Sequence, residues 1–271
     1  MIDLHLHTTA SDGRLAPAAL VEAAAAAGLT TLAITDHDTV AGLPAAGEAA
    51  RAHGLTVIAG IEITAVDDGR DVHILGYFVD VADPALAEFL ARQRADRRRR
   101  LDEIVARLAA LGAPIVRPLP GESGDDASAV GRPLVARALV EAGHAASIAD
   151  AFDRFLGVGR PAFVPRRGPA PAEVIARIAA AGGLASLAHP GKTGRDDLIA
   201  AMVDAGLAAV EVHHPDHTAA DRARYSQIAR DRRLLVTGGS DYHGPDSGRA
   251  DALGRVTLPA ADYAALAARA A

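Results

Sequence analysis

Residues 2–35 read IDLHLHTTASDGRLAPAALVEAAAAAGLTTLAIT, and this stretch decides the fold. A short apolar run, Ile2–His7, gives way to an Ala-rich segment and then to a second apolar run, Thr31–Thr35. Pro17 opens the Ala-rich helix where a missing N–H costs nothing, and Gly28 closes it. Strand, helix, strand in that order is the unit of a parallel α/β sheet or barrel. The rhythm recurs downstream: Thr56–Thr64, Val72–Val79, Leu184–Ala188, Ala208–His213 and Leu234–Gly238 read as strands, and Pro171 and Gly182 bracket a further helix. The count is about seven units.

The rhythm breaks from about Pro84 to Gly168. A long charged helix containing Arg97-Arg98-Arg99-Arg100 leads into a Pro/Gly/Asp-rich loop and two short helical patterns. Residues 1–95 and 169–271 are therefore expected to form one barrel domain, with 96–168 as an inserted helical subdomain. The four-Arg run reads first as a solvated helix face paired with Asp96, Asp102 and Glu103, with binding of a polyanion as the lesser alternative.

Composition narrows the chemistry. Half of the 271 residues are hydrophobic, with Ala the commonest of them, and aromatics make up only 3%, so the core is expected to be closely packed helices on aliphatic strands. The chain has no Cys, which excludes disulfides, thiolate metal sites and Cys nucleophiles; any metal must be held by imidazole and carboxylate. A net charge of −6 argues against a coat for long duplex nucleic acid. No apolar run is long enough to span a membrane and no leader is apparent, so a cytoplasmic protein is expected. Nearly all basic residues are Arg, and the single Lys is Lys192, directly after His189-Pro190-Gly191.

Ligand-type residues stand at the tips of the strands: His5-Leu6-His7, Asp36-His37-Asp38, Glu62, His73, His189, Glu211-Val212-His213 and Asp241-Tyr242-His243. The tips of parallel barrel strands converge in space, so these residues are expected to form one site. Residues i and i+2 of a strand point to the same side, so His5 with His7, and Asp241 with His243, can grip one ion. His53 and His144 lie in or after helical stretches and read as structural. Nine candidates, His5, His7, Asp12, His37, Glu62, His73, His189, Asp241 and His243, are too many for one ion, and two or three are implied. Mixed imidazole and carboxylate ligands suit Mn²⁺, Fe²⁺ or Zn²⁺ better than Mg²⁺ or Ca²⁺.

Asp3-Leu4-His5-Leu6-His7-Thr8, Ser11-Asp12-Gly13, Thr35-Asp36-His37-Asp38, Gly60-Ile61-Glu62-Ile63, Ala188-His189-Pro190-Gly191 and Ser240-Asp241-Tyr242-His243 together resemble the polymerase and histidinol phosphatase (PHP) family over essentially the whole chain. The resemblance implies a distorted (β/α)7 barrel and up to three metals. His5, His7, Glu62 and Asp241 would hold the first, Glu62 as a bridge with His73 and His189 the second, and Asp12, His37 and His243 the third. Many family members carry His where this chain has Asp12. That difference resembles the branch of nucleoside 3′,5′-bisphosphate phosphatases and 5′-to-3′ exoribonucleases that trim short RNA. Gly131-Arg132-Pro133, Ala136-Arg137 and Gly159-Arg160-Pro161 are similar to its phosphate-recognition segments, with Leu134 where relatives often have His.

The expected activity is hydrolysis of a phosphate monoester of a small nucleotide by a metal-bound hydroxide, with Glu62 and Asp241 in the catalytic machinery. Arg132, Arg137, Arg160 and Lys192 would anchor a second phosphate. His213, His214 and His217 surround the sixth strand end, where any could protonate the leaving oxygen; His217 best resembles a family position, and His213 is a further candidate substrate contact. The main alternative is a 5′-to-3′ exonuclease on short RNA or DNA oligonucleotides, whose mark would be a basic, aromatic-lined channel. A non-catalytic polymerase-associated domain would have lost ligands, and none is lost here. Hydrolysis of a C–N bond, as in amidohydrolases, would not call for the Arg and Lys positions.

Overall fold

The computed structural model describes residues 1–116, 130–245, 247 and 249–271. The Pro/Gly/Asp-rich loop of the insert lies largely outside them. Seven strands, β1 (Ile2–Leu6), β2 (Thr31–Ile34), β3 (Thr56–Asp67), β4 (Arg70–Tyr77), β5 (Leu184–Leu187), β6 (Ala209–His213) and β7 (Leu235–Gly238), form one sheet in sequence order. The chain after β7 returns to β1: Leu6 bridges Tyr242, and the His7 amide donates to the Tyr242 carbonyl at 3.0 Å. The sheet is thereby a nearly closed barrel. The approach is close enough that a Cβ on Gly239 would lie 2.4 Å from the His5 nitrogen, so only glycine fits there.

All seven strands lie where the sequence places them, but the sheet is not wholly parallel. β4 runs antiparallel to both β3 and β5. The cause is local: Asp68 (φ 48°) and Gly69 (φ 73°) are both left-handed between β3 and β4, the backbone of a two-residue hairpin, which leaves no room for a crossover helix. Reversal carries the beginning of β4, with His73, to the face where the other strands end.

The helices are α1 (Pro17–Ala26), α2 (Leu43–His53), α3 (Pro84–Ala110), α4 (Arg132–Glu141), α5 (Ile148–Ala151), α6 (Pro171–Ala180), α7 (Pro190–Thr193), α8 (Ile199–Asp204), α9 (Ala219–Arg232) and α10 (Ala260–Ala270). Ala side chains let them approach closely, as where Ala24 of α1 meets Ala46 and Ala50 of α2. The expected insert boundary at 96 falls inside α3, which serves two cores. Its first half gives Leu86, Phe89 and Leu90 to the barrel; its second gives Leu101, Ile104 and Leu108 to a separate cluster with Val135, Leu139, Ala151 and Leu156.

The Arg run corrects another expectation. Arg99 pairs with Asp96 and Glu103 on the outside, but Arg97 and Arg100 are both 5% exposed and face inward. Arg97 Nε donates to Asp38 at 2.5 Å, its other nitrogens donate to Thr64 Oγ1 and the Val130 carbonyl, and Arg100 donates to the Val164 carbonyl. The run spans a helical turn, so half of it necessarily meets the barrel.

Candidate metal centre

The structure brings all nine predicted ligand residues together. Four overlapping groups have ligand atoms within 4.8 Å of one another: His7, Asp12, His37 and His243; His5, His7 and Asp241; His5, Glu62 and His189; His37, Glu62 and His73. Glu62 stands at their junction, and its two oxygens face different sets. Oε1 lies 2.7 Å from His73 Nδ1 and 3.2 Å from His189 Nε2, while Oε2 lies 3.2–3.3 Å from ring nitrogens of His5, His7 and His37. That is the geometry of a bridging carboxylate.

Backbone strain accompanies these positions. Asp38, His189 and Asp241 have φ of 51°, 29° and 48°, values that L residues seldom adopt and that hold the neighbouring side chains inward.

The donor set fits divalent cations. Among the described residues, both ring nitrogens of the fully buried His7, with His37 Nδ1 and His189 Nδ1, have no well-directed hydrogen bond despite the carboxylates nearby, an arrangement that is costly unless an ion takes the lone pairs. The field agrees. Burial opposes a charged His7, yet its contacts with Asp241 and Glu62 push it up to about 10. Burial likewise opposes charge on Glu62, but the surrounding imidazoles hold it well below the usual carboxylate range. Burial keeps His37 well below, and His189 down at about 4, so both present neutral rings, the ligating form.

Around these residues lies a second layer. Asp36 accepts from the Thr8 amide and the Thr8 and Ser11 hydroxyls at 2.6–2.7 Å, which ties down the loop carrying Asp12. Asp241 splits its oxygens: Oδ1 lies 3.3–3.4 Å from His5 and His7, whereas Oδ2 receives Arg249 at 2.8 Å and His214 at 3.3 Å. Its second oxygen is therefore held by donors, which orients Oδ1 toward His5 and His7. Glu211 Oε1 lies 2.9 Å from His5 Nδ1. Burial would raise the Glu211 carboxyl, but His5 brings it down to about 2. Arg249 carries no signal in the sequence, being a single Arg in a loop; Glu211 stands among the strand-tip residues but has no role assigned by spacing.

Of the three histidines at the end of β6, two are engaged by the main chain. His217 Nδ1 donates to the Val212 carbonyl at 2.9 Å, and Nε2 accepts the Gly191 amide at 3.1 Å. His214 Nδ1 accepts the Asp216 amide at 3.1 Å, so its proton sits on Nε2, directed at Asp241. His213 points away, 4.0 Å from Asp262 of α10. Main chain thus engages both ring nitrogens of His217, the expected general acid, while His213, the expected substrate contact, keeps a partly exposed ring.

The cationic candidates scatter. Arg132 is partly buried, 3.5 Å from Asp71 and against the rings of Phe152 and Phe163. Arg137 of α4 is half-buried and feels both Arg14 and Asp12. Arg160 and Lys192 are exposed and form no ion pair among the described residues. The structure adds Arg166, 9% exposed, between Asp38 and Asp71.

Among the described residues no helix is long and apolar enough to cross a membrane. Residues 3–117 match the PHP domain. The chain is 39% identical to the 5′-3′ exoribonuclease Rnm of Salmonella typhimurium, over 90% of this chain and 85% of that protein. It is 38% identical to a phosphoribosyl 1,2-cyclic phosphate 1,2-diphosphodiesterase of Eggerthella lenta (89% and 94%) and 33% identical to a 3′,5′-nucleoside bisphosphate phosphatase of Chromobacterium violaceum (92% and 90%). A solved metal-dependent phosphoesterase structure from Bifidobacterium adolescentis superposes with a TM-score of 0.89 at 35% identity, covering 99% of this chain and 96% of that one. With the whole barrel covered and each ligand motif in place, the chain belongs to the PHP family of metal-dependent phosphoesterases.

Proposed function

We propose that this enzyme hydrolyses a phosphate monoester of a small nucleotide that carries a second phosphate, such as a nucleoside 3′,5′-bisphosphate. One observation carries the reading. Beside the metal centre, four buried or partly buried guanidiniums, Arg97, Arg100, Arg132 and Arg166, are matched by only two carboxylates, Asp38 and Asp71, and Asp71 is two residues from His73. Burial, then the neighbouring arginines, lowers Arg100 to about 9 and Arg166 to about 10. Uncompensated positive charge there favours an anion, and guanidinium suits phosphate oxygens. Arg137, Arg160 and Lys192 are further candidate phosphate contacts in this reading.

Two or three ions of Mn²⁺, Fe²⁺ or Zn²⁺ would be held by His5, His7, Glu62 and Asp241, by Glu62, His73 and His189, and by Asp12, His37 and His243. When bound, such ions supply an activated water and neutralise charge on the scissile phosphate. His37, His73 and His243 have side chains 12–23% exposed and form the open rim, where the scissile phosphate would enter. The buried His5, His7 and Glu62 fix the floor. A 5′-to-3′ exonuclease acting on short oligonucleotides is the second reading, favoured by the likeness to Rnm; its substrate would place a 5′-phosphate in the same basic region.

The test compares adenosine 3′,5′-bisphosphate with adenosine 3′-monophosphate. Loss of one charge-assisted phosphate contact corresponds to about ten- to a hundredfold in kcat/KM. Wild type should prefer the bisphosphate by that factor, and Arg132→Ala should lose most of the preference. Equal rates on the two nucleotides would remove the second subsite.

A further inference from the structure

Glu211 is buried at the end of β6 beside an irregularity in its register with β7. It faces two donors at once. Oε1 accepts from His5 Nδ1 at 2.9 Å, and Oε2 accepts from the His189 amide at 2.7 Å. Because a carboxylate at this position only accepts, the His5 proton must sit on Nδ1. That leaves Nε2 as the atom facing Glu62 Oε2 (3.3 Å) and Asp241 Oδ1 (3.4 Å), free to ligate an ion in place of a proton. The second contact anchors His189 in a left-handed conformation that the residue would not hold unaided.

We propose that Glu211 is the positioning residue of this metal centre, one oxygen fixing the tautomer and orientation of His5 and the other fixing the backbone that presents His189. It is 0% exposed and lies behind His5, so it does not touch substrate. Burying an ionised group is expensive, and an apolar residue would be cheaper unless both oxygens are needed. No other side chain of this length supplies two acceptors. Glutamine is isosteric, but its amide nitrogen would face either His5 Nδ1–H or the His189 N–H, setting donor against donor. Partners of this kind hold ligand rings in the ligating tautomer and raise their basicity. The assignment needs no assumption about the substrate.

The full-length protein, stripped with chelator and titrated with Mn²⁺ while free Mn²⁺ is followed by electron paramagnetic resonance, separates this role from a merely structural one. Glu211→Gln should bind Mn²⁺ about 10–100-fold more weakly at the sites containing His5 and His189, with the Asp12–His37–His243 site unchanged. Wild-type affinity and stoichiometry at every site would overturn the proposal, as would an equal loss at all three. If Glu211→Gln does not fold, nitrogen-15 spectra of the wild-type imidazoles with Zn²⁺ bound decide instead. A proton on His5 Nδ1 with Nε2 bound to metal supports the role, and the opposite tautomer overturns it.

Discussion

His217 shows how a residue that sequence places in the chemistry can be claimed by the backbone. Its ring donates to the Val212 carbonyl and accepts from the Gly191 amide, and Gly191 itself must be glycine, since a Cβ there would lie 2.8 Å from the imidazole. The ring therefore latches the loop after β5, which carries His189, to the end of β6. Replacing it with Leu keeps the bulk but orphans a buried carbonyl, at a cost of about 1–3 kcal/mol. His217→Leu should lower the melting temperature by several degrees. At saturating metal its pH–rate profile should keep the wild-type shape. An unchanged melting temperature together with loss of the basic limb would return His217 to the role of proton donor.

At the scale of elements, helix α3 joins the insert to the metal loops through Arg97 and Asp38, the residue after His37. Asp38 sits at φ 51° and also accepts the Thr64 amide at 3.0 Å, so this pair braces the loop after His37 against β3 just beyond Glu62. Arg97→Met would remove the shorter of two guanidinium contacts to the buried Asp38, leaving Arg166 at 3.5 Å, a loss of about 1.5–3 kcal/mol in a urea titration. Pairing it with Asp38→Asn, which tolerates the left-handed backbone, should recover part of that loss. Strict additivity of the two single changes would show that the pair is not coupled. These elements also mark how far sequence carried. The strands and the gathering of the nine candidate ligand residues were legible, because apolar runs and ligand types at their tips are local features. The reversal of β4 was written in Asp68-Gly69, a hairpin signal set between apolar runs, but it was overridden by the rhythm of parallel units. The inward arginines, Arg249 on Asp241 and the captive histidines of β6 depend on which distant group meets them, and no spacing rule carries that.

For the whole molecule, the metal centre is where the barrel is closed and where it is most exposed to failure. His5 and His7 come from the first strand, Asp241 and His243 from the segment beyond the last, and Glu62 from the third. An ion held among them would tie the two ends of the chain together across the seam between β1 and β7. That seam is thin, since its pairing includes the Leu6–Tyr242 bridge and the His7-to-Tyr242 hydrogen bond but no extended ladder. The same residues concentrate carboxylates and imidazoles out of water, which costs free energy unless a cation balances them. Metal binding to the folded state alone therefore stabilises it, by about 2.7 kcal/mol per site at a hundred times its dissociation constant. Chelation should lower the melting temperature by several degrees, Mn²⁺ or Zn²⁺ should restore it in a concentration-dependent way, and amide exchange should rise first in β1 and in the segment around Tyr242. The insert, with its own core of Leu101, Leu108, Val135 and Leu139, should keep its protection. Equal loss of protection in insert and barrel, or a melting temperature indifferent to chelator, would show that the ions contribute chemistry without holding the barrel shut.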